Sequence, residues 1–560
     1  MRRRLPLVLG LVAIAALPAT ATAAVTMTDF KVEPSSKQGG GHPNVTITQT
    51  FDYGSSTTDS VKDAFVRLQP GLLGNPQNAG FCSQSQFKSD SCPADSKVGS
   101  VEVTATAYIL VVPAPTTNSG TVYNLRPTGD EPARVGIVVQ AAGGLSKIFL
   151  QSPVYIRPGA DGYGLESTFA DQPRDSGGIP IQITKVALTF NGKASKGAFM
   201  RMPTSCAEGT SLSRANSWEA PTAFSEKTFA MTPTGCDSLG FAPKATGYMG
   251  SPTSTKKGAS PPVSTTLTFD PEEAALKRAE VTLPNVLVPN VGVLLRTCSR
   301  ADSDASTCPD SSRVGTAIID SPLQPQPVRG PVYIAYNSDN QLPGLVVMLP
   351  PPVGVRLDGL VDLSTAGSRN TFASNPDLPV RSFTLSIDGD RTDGLLNLAK
   401  NLCDDTTDRT MTLHLVAHNG KETTFEQELA TPGCDPTARF TIRRKGHSAT
   451  LVARLRAARV GPGITQFALR LPKTLARGKS RPVVFADGAR MSPHTGKRLA
   501  SMPFPREIRT ATMIWRGLKT GRRLKKTAVI RLRMTDGRPH VTSLKKKVRV
   551  RGKAPRRKHR

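Results

Sequence analysis

Aromatic residues make up only 5% of the 560 residues, with two tryptophans. The interior must therefore be largely aliphatic, and recognition of nucleic acid by base stacking has little to work with. Beyond the N-terminus no segment approaches 18 uninterrupted apolar residues, which excludes a transmembrane helix in the mature chain. Hydrophobic residues reach only 38%, whereas Gly and Pro together number 94. That balance fits short strands joined by many turns and disfavours a helical protein. No C-x2-C spacing stands among the eight cysteines, so a zinc arrangement is missing. Gly478-Lys479-Ser480 lacks the glycine five residues earlier that a phosphate loop requires, so nucleotide binding is not expected. From Asp435 onward there is no cysteine and almost no acid.

What the chain does have is one cysteine pattern written twice. Cys82, Cys92, Cys206 and Cys236 are followed by Cys298, Cys308, Cys403 and Cys434, with 10 residues across the first pair in each copy and 30 or 31 across the second. Flanking residues repeat with them. Cys92-Pro93 with Ser96-Lys97-Val98-Gly99 returns as Cys308-Pro309 with Ser312-Arg313-Val314-Gly315, and Val122-Tyr123 returns as Val332-Tyr333. This is an internal duplication.

Arg2-Arg3-Arg4, an apolar run from Leu5 to about Leu17 and a small-residue stretch ending Ala21-Thr22-Ala23-Ala24 describe a cleaved secretory signal over residues 1–24. An exported chain meets an oxidising environment, where disulfides are expected. Local pairing gives Cys82–Cys92, Cys206–Cys236, Cys298–Cys308 and Cys403–Cys434. Between the last two, Thr412–His418 and Thr423–Leu429 flank Asn419-Gly420, a strong hairpin signal that brings the cysteines at its base together. The organisation that follows is a β-sandwich repeat over 25–237, a second over 262–435, a basic cysteine-free β domain over 437–550 and a disordered tail over 551–560. Strands are expected at Val45–Phe51, Ala64–Leu68, Ser100–Val112, Val135–Val139 and Ile181–Phe190, the last turning at Asn191-Gly192. In the second copy they fall at Ser264–Phe269, Arg278–Leu283, Gly344–Leu349 and Ser382–Ile387, the last turning at Asp388-Gly389. Gly250–Pro262 reads as a polar linker or as a loop opening the next domain. Phe467–Leu475 hints at a third, degenerate copy.

The net charge of +29 is unevenly placed. Asp435–Arg560 holds 36 Lys and Arg against 4 Asp and Glu, leaving 36 against 39 for the rest. Ile530, Leu532 and Met534 alternate with Arg531 and Arg533, so the cations are expected on the solvent face of a sheet. Such polarisation points to anionic cell-wall or membrane-surface polymers as partners. The expected binding residues are Arg522, Arg523, Lys525, Lys526, Lys545, Lys546, Lys547, Arg549, Arg556, Arg557 and Lys558.

Several chemistries are spelled without their context. Ser254-x-x-Lys257, Ser338-Asp339-Asn340 and Lys519-Thr520-Gly521 follow the order of the three boxes of penicillin-recognising serine enzymes. That chemistry needs the serine at the start of a buried helix, and here it is expected in an exposed linker with no helical domain between the boxes. Leu471-Pro472-Lys473-Thr474 resembles a wall-sorting signal, but Leu475 replaces its glycine. Asp388, Asp390 and Asp393 miss the calcium-loop register, and His414 and His418 lack a third ligand nearby. No catalytic, metal or cofactor residue is assigned.

Phe30-Lys-Val-Glu-Pro34 through Gly39-Gly40-Gly41-His42-Pro43, Leu68-x-Pro70-Gly71-Leu72-x-Gly74-Asn75-Pro76, the Cys82–Gly99 block and Val122-Tyr123-Asn124-Leu125-x-Pro127 resemble a family of large secreted, repeat-containing β-rich surface proteins of actinobacteria. The resemblance covers the first copy directly and the second by duplication, and it implies location and architecture rather than activity. The chain departs from that family in its basic C-terminal region. The combined expectation is an all-β chain of tandem immunoglobulin-like sandwiches, the first two disulfide-stapled. It would act as a secreted, non-enzymatic structural or binding protein held to anionic polymers by its C-terminal region. The alternatives are an envelope hydrolase or penicillin-binding-like serine enzyme, and a diffusible polyanion or nucleic-acid binder.

Overall fold

Alternation sets the strands. In Val45–Asp52 the valine, isoleucine and phenylalanine are buried and the threonines between them half-buried, the two-residue period of a sheet with one covered face. The computed structural model describes residues 25–109, 112–141, 146–159, 162–176, 178–336, 342–364, 367–390, 393–404, 406–458, 462–479, 481–520, 526–537 and 541–552. The sequence-expected signal at 1–24 and most of the tail lie outside them. The chain divides into two compact units, one up to Gly235 and one from Cys236 onward.

The first unit is built on eleven strands, β1 (Thr26–Pro34), β2 (Val45–Asp52), β3 (Val61–Arg67), β4 (Lys97–Ile109), β5 (Val112–Leu125), β6 (Ala133–Ala141), β7 (Ser146–Gly159), β8 (Gly162–Phe169), β9 (Ile179–Phe190), β10 (Gly209–Ser217) and β11 (Ser225–Met231). Their hydrogen-bonded order is β1-β2-β9-β4-β5-β6-β7-β8-β3-β10-β11, antiparallel throughout. Phe30, Ile47, Val101, Ile137, Ala64 and Met231 share one core, so the sheet folds over and packs its early strands against its late ones. The two ends of the path also meet. Met27 donates its backbone N–H to Ser225 Oγ at 2.8 Å, and Gln38 and Thr234 form a short parallel bridge. Closing the path in this way leaves little edge open to pairing with another chain.

The second unit opens with the same device. Its eleven strands are β12 (Lys244–Met249), β13 (Val263–Thr268), β14 (Leu276–Thr282), β15 (Arg313–Asp320), β16 (Val328–Ala335), β17 (Gly344–Met348), β18 (Arg356–Ser364), β19 (Gly367–Phe372), β20 (Ser382–Ile387), β21 (Thr410–Ala417) and β22 (Glu422–Glu428). Their order, β12-β13-β20-β15-β16-β17-β18-β19-β14-β21-β22, is strand for strand that of the first copy. Here too the ends meet, through a Tyr248 to Ala430 bridge. The duplication seen in the cysteines is thus a duplication of topology.

Shared details explain the shared motif. A Cβ on Gly99 would sit 2.0 Å from the Thr189 carbonyl oxygen, and one on Gly315 2.1 Å from that of Ser386, so neither position accepts a side chain. Ser96 and Ser312 each donate a hydroxyl to the carbonyl of the proline three residues earlier. Cys82–Cys92, Cys298–Cys308 and Cys403–Cys434 are bonded with Cα separations of 5.1, 5.4 and 5.3 Å. Cys206 and Cys236 are disulfide-bonded as well, and no cysteine is free. Asn419-Gly420 turns between β21 and β22 as expected, with Gly420 at φ 83°.

Of the two readings of Gly250–Pro262 the loop is the one observed, because β12 precedes it and pairs with β13; its Ser254, Thr255 and Ser260 are buried, so Ser254 is not in an exposed linker. Two further readings are corrected. Asn191-Gly192 and Asp388-Gly389 are close-approach sites rather than simple hairpin turns. A Cβ on Gly192 would meet the His42 carbonyl oxygen at 2.1 Å, and one on Gly389 the Pro262 nitrogen at 2.1 Å. The basic region is also not a third copy. Its main path, taken by residue range, runs 489–491, 483–486, 510–520, 448–456, 437–445, 541–551, 527–536, 464–470, 499–508 and 494–495. Thr437–Lys445 and Val541–Arg551 pair in parallel, whereas the repeats are antiparallel. Leu451, Phe467, Leu469, Met513, Trp515 and Ile530 form its core. The class is the all-β one expected, with the two copies disulfide-stapled.

Candidate polyanion-binding face

Thr527–Asp536 and Val541–Arg551 form the hairpin that carries the charge. Alternation sends Ile530, Leu532 and Met534 into the core and leaves Arg531 and Arg533 outside. On the facing strand Lys545, Lys547, Arg549 and Arg551 are exposed while Val548 is buried. Register then decides which cations meet. Arg531 stands directly opposite Lys545, with Val529 opposite Lys547 and Thr527 opposite Arg549. On its other side Arg531 stands opposite Arg470 of the strand Ile464–Arg470. Arg470, Arg531 and Lys545 thus form one row across three adjacent strands, each about 4.8 Å from the next in the hydrogen-bonding direction. A second pair, Arg443 and Arg551, meets in the parallel register, and Arg439 faces Arg454.

Like charges directly opposite in a sheet are destabilising. Two cations about 5 Å apart repel by on the order of 1 kcal/mol even in water. Three of the four acids of this region are engaged away from the row. Asp536 is buried, Glu507 accepts from the Gly463 N–H at 2.6 Å, and Asp487 accepts from the N–H groups of Arg509 at 2.9 Å and Thr510 at 2.8 Å. Among the described residues none of Arg470, Arg531, Arg533, Lys545, Lys547 and Arg549 has a carboxylate partner. What the row offers chemically is several unpaired cations at the repeat of a sheet, open to an anion that spans more than one strand.

Of the expected residues, Lys545, Lys547 and Arg549 lie on this face. Lys546 is in register with the buried Ile530, so alternation assigns it to the opposite face, although it is exposed. Lys526 is exposed beside the start of the hairpin. Arg522, Arg523, Lys525, Arg556, Arg557 and Lys558 lie outside the described residues. The sequence reading left Arg470, Arg531 and Arg533 out of the set. The alternation of Arg531 and Arg533 with apolar residues was the available signal, whereas Arg470 joins only through the pairing of strands distant in sequence.

The other candidates are engaged elsewhere. The Ser254 side chain is buried, and its Oγ accepts from the Ser251 N–H at 3.1 Å, while the Lys257 backbone N–H donates to Asn401 Oδ1 at 3.0 Å. Ser338, Asp339, Asn340 and Gly521 lie outside the described residues. Asp390 accepts from the Ser251 and Thr253 hydroxyls at 2.5 and 3.0 Å. Burial alone would raise the Asp390 carboxyl, but those hydrogen bonds outweigh it and hold it below the usual carboxylate range. Asp393 pairs with Arg296 at 3.3 Å. His414 contacts Glu422 at 3.1 Å, and His418 contacts the Asn375 carbonyl at 2.9 Å. Among the described residues no three His, Cys, Asp or Glu side chains gather as a metal site.

No family model and no curated protein matches the chain. Solved structures do. The collagen adhesin of S. aureus is 10% identical and matches over 55% of this chain and 92% of its own, with a TM-score of 0.18. The Enterococcus faecalis MSCRAMM ACE is 12% identical over 55% of this chain and 94% of its own, with a TM-score of 0.17. A putative membrane-anchored protein from Corynebacterium diphtheriae is 8% identical over 82% and 97%, also at 0.17. At these identities and scores, the likenesses assign neither a function nor a ligand to the chain.

Proposed function

We propose that the chain is a secreted, non-enzymatic surface protein, akin to the actinobacterial family its repeats resemble, whose basic domain binds anionic polymers of the cell envelope. The row Arg470, Arg531 and Lys545 carries this reading, because three cations held side by side without an acid are at odds with the stability of the free domain. A chain of phosphates or carboxylates crossing the strands relieves that repulsion and gains charge-assisted hydrogen bonds. The leader and the fully oxidised cysteines support export. The repeats, stapled and internally charge-balanced, serve as the presented part.

The test is binding of the full chain to long-chain polyphosphate, measured over a range of salt concentrations and compared with the variant Arg470→Gln/Arg531→Gln/Lys545→Gln. Counterion release predicts affinity that falls steeply with salt, and a slope shallower by about two to three in the variant. A variant indistinguishable from the parent at every salt concentration overturns the assignment to this face. Loss of binding on stopping the chain after Gly552, with the triple variant unaffected, moves the activity to the tail.

A further inference from the structure

Val263, Thr265, Leu267 and Phe269 alternate along β13 and its exit, and all four line a cavity of about 140 Å³ inside the second repeat. At about 3.3 Å per residue that run is on the order of 20 Å long, so one wall of the space extends along the strand. Val281, Leu345, Leu357 and Phe372 line it as well. A smaller cavity of about 60 Å³ shares Leu283, Leu345, Asn370 and Ile387 with the first. It reaches Leu342 and Leu363, each 47% exposed. The two spaces thus share a wall, and the smaller one reaches an apolar rim.

Among the polar residues of those walls, Asn370 stands apart. Asn370 lines both cavities, and its Oδ1 is buried with no hydrogen-bond partner. A buried acceptor left unmade is costly. The duplicated copy shows a difference beside the cavity. In β1, Phe30 and Val32 face Gln49 and Ile47; in β12, at the same register positions, Ala245 and Gly247 face Leu267 and Thr265. The second copy therefore carries smaller side chains on that strand, with Leu429 packed over Gly247.

We propose that the interior of the second repeat binds a single unbranched alkyl chain that enters past Leu342 and Leu363 and carries a hydroxyl or amide N–H donating to Asn370 Oδ1. The lining that follows β13 suits an extended chain, and the orphan acceptor selects a donor-bearing chain over a plain hydrocarbon. This site is independent of the basic face, and either can fail without the other.

The probes are 1-dodecanol and its methyl ether, which has the same chain but no donor, applied to the full-length protein. Dodecanol is expected to raise the thermal midpoint by several degrees at saturation, since a ligand that binds only the folded state stabilises it. Ala279→Leu, which extends a side chain into the cavity, is expected to abolish the rise. Asn370→Leu is expected to weaken dodecanol about tenfold and leave the ether unchanged. No rise with dodecanol, or a rise that survives both substitutions, overturns the proposal. Should Ala279→Leu fail to fold, the split between alcohol and ether in Asn370→Leu decides alone.

Discussion

The repeats and the basic domain fill the same kind of cross-strand position in opposite ways. In the repeats an arginine faces a carboxylate. Arg67 stands opposite Glu166 with 3.2 Å between their charged ends, Arg214 opposite Glu226 at 2.7 Å, and Arg369 opposite Asp362 at 2.5 Å. In the basic domain Arg531 faces an arginine on one side and a lysine on the other. Exposed pairs of the first kind are worth only about 0–1 kcal/mol each, so the difference lies less in stability than in what is left over. The repeats satisfy their charges internally, whereas the basic domain leaves its charge available to something outside.

The two regions are also stabilised by different means, and the largest expected effects separate them. The basic domain has no cysteine and depends on its core, in which Trp515 is fully buried. Trp515→Ala is expected to cost about 3–5 kcal/mol through the cavity it leaves. Trp515→Phe should cost far less, because the indole N–H has no partner to lose. Chemical denaturation followed by circular dichroism measures both. A cost below about 1 kcal/mol for the alanine variant would show that packing around Trp515 is not what holds this domain.

Next comes the staple. Cys403 and Cys434 close a loop across 31 residues, and Cys403→Ser/Cys434→Ser is expected to destabilise the second repeat by about 3–4 kcal/mol by freeing its unfolded chain. Binding of polyphosphate by the same variant should be unchanged at temperatures where the repeat stays folded. Calorimetry with a parallel binding titration sharpens the contrast, and a loss of affinity would mean that the regions are not separable.

How much of this was legible in the sequence follows from where the information sits. The duplication, the hairpin at Asn419-Gly420 and strands such as Val45–Asp52 and Ser382–Ile387 are local or periodic signals, and the sequence showed them. Polar strands were missed. Val112–Leu125, with Pro113-Ala-Pro115-Thr-Thr-Asn-Ser119 at its start, has no alternation to read and is a strand through its long antiparallel pairing with Lys97–Ile109. Gly192 and Gly389 looked like turn glycines because sequence records neighbours along the chain and not the carbonyl that passes over them. For the same reason the charge bias of the C-terminal region was visible while its arrangement was not. Arg470 lies 61 residues from Arg531 in sequence, and only register places them side by side.

A smaller effect isolates one of the few acids of the basic domain. Asp487 adopts φ 43° in a turn, and its carboxylate accepts from the N–H groups of Arg509 and Thr510. Burial alone would push its carboxyl up, but those bonds, with the Thr510 hydroxyl, outweigh it and hold the group below the ordinary carboxylate range. A carboxyl depressed in the folded state stabilises above its unfolded value, near 3.9, and that contribution disappears as pH falls through the folded value. Asp487→Asn is expected to cost roughly 0.5 kcal/mol at pH 7, since solvent screens the exposed carboxylate, and progressively less below about pH 4. A cost independent of pH would assign the effect to the turn rather than to the charge.

The smallest expected effect bears most directly on the comparison. If Arg531 is held between Arg470 and Lys545 against their repulsion, Arg531→Gln should stabilise the free protein rather than weaken it, by a few tenths of a kcal/mol at low ionic strength. The gain should fade towards 1 M salt, where the screening length drops to about 3 Å. With polyphosphate bound the order should reverse, because the parent then gains a partner that the variant cannot use. A charged residue that contributes to folding would do the opposite, costing stability in the free state and depending little on the polymer. Thermal midpoints of parent and variant at two salt concentrations, with and without polyphosphate, therefore distinguish a cation retained for an outside anion from one that is merely solvated.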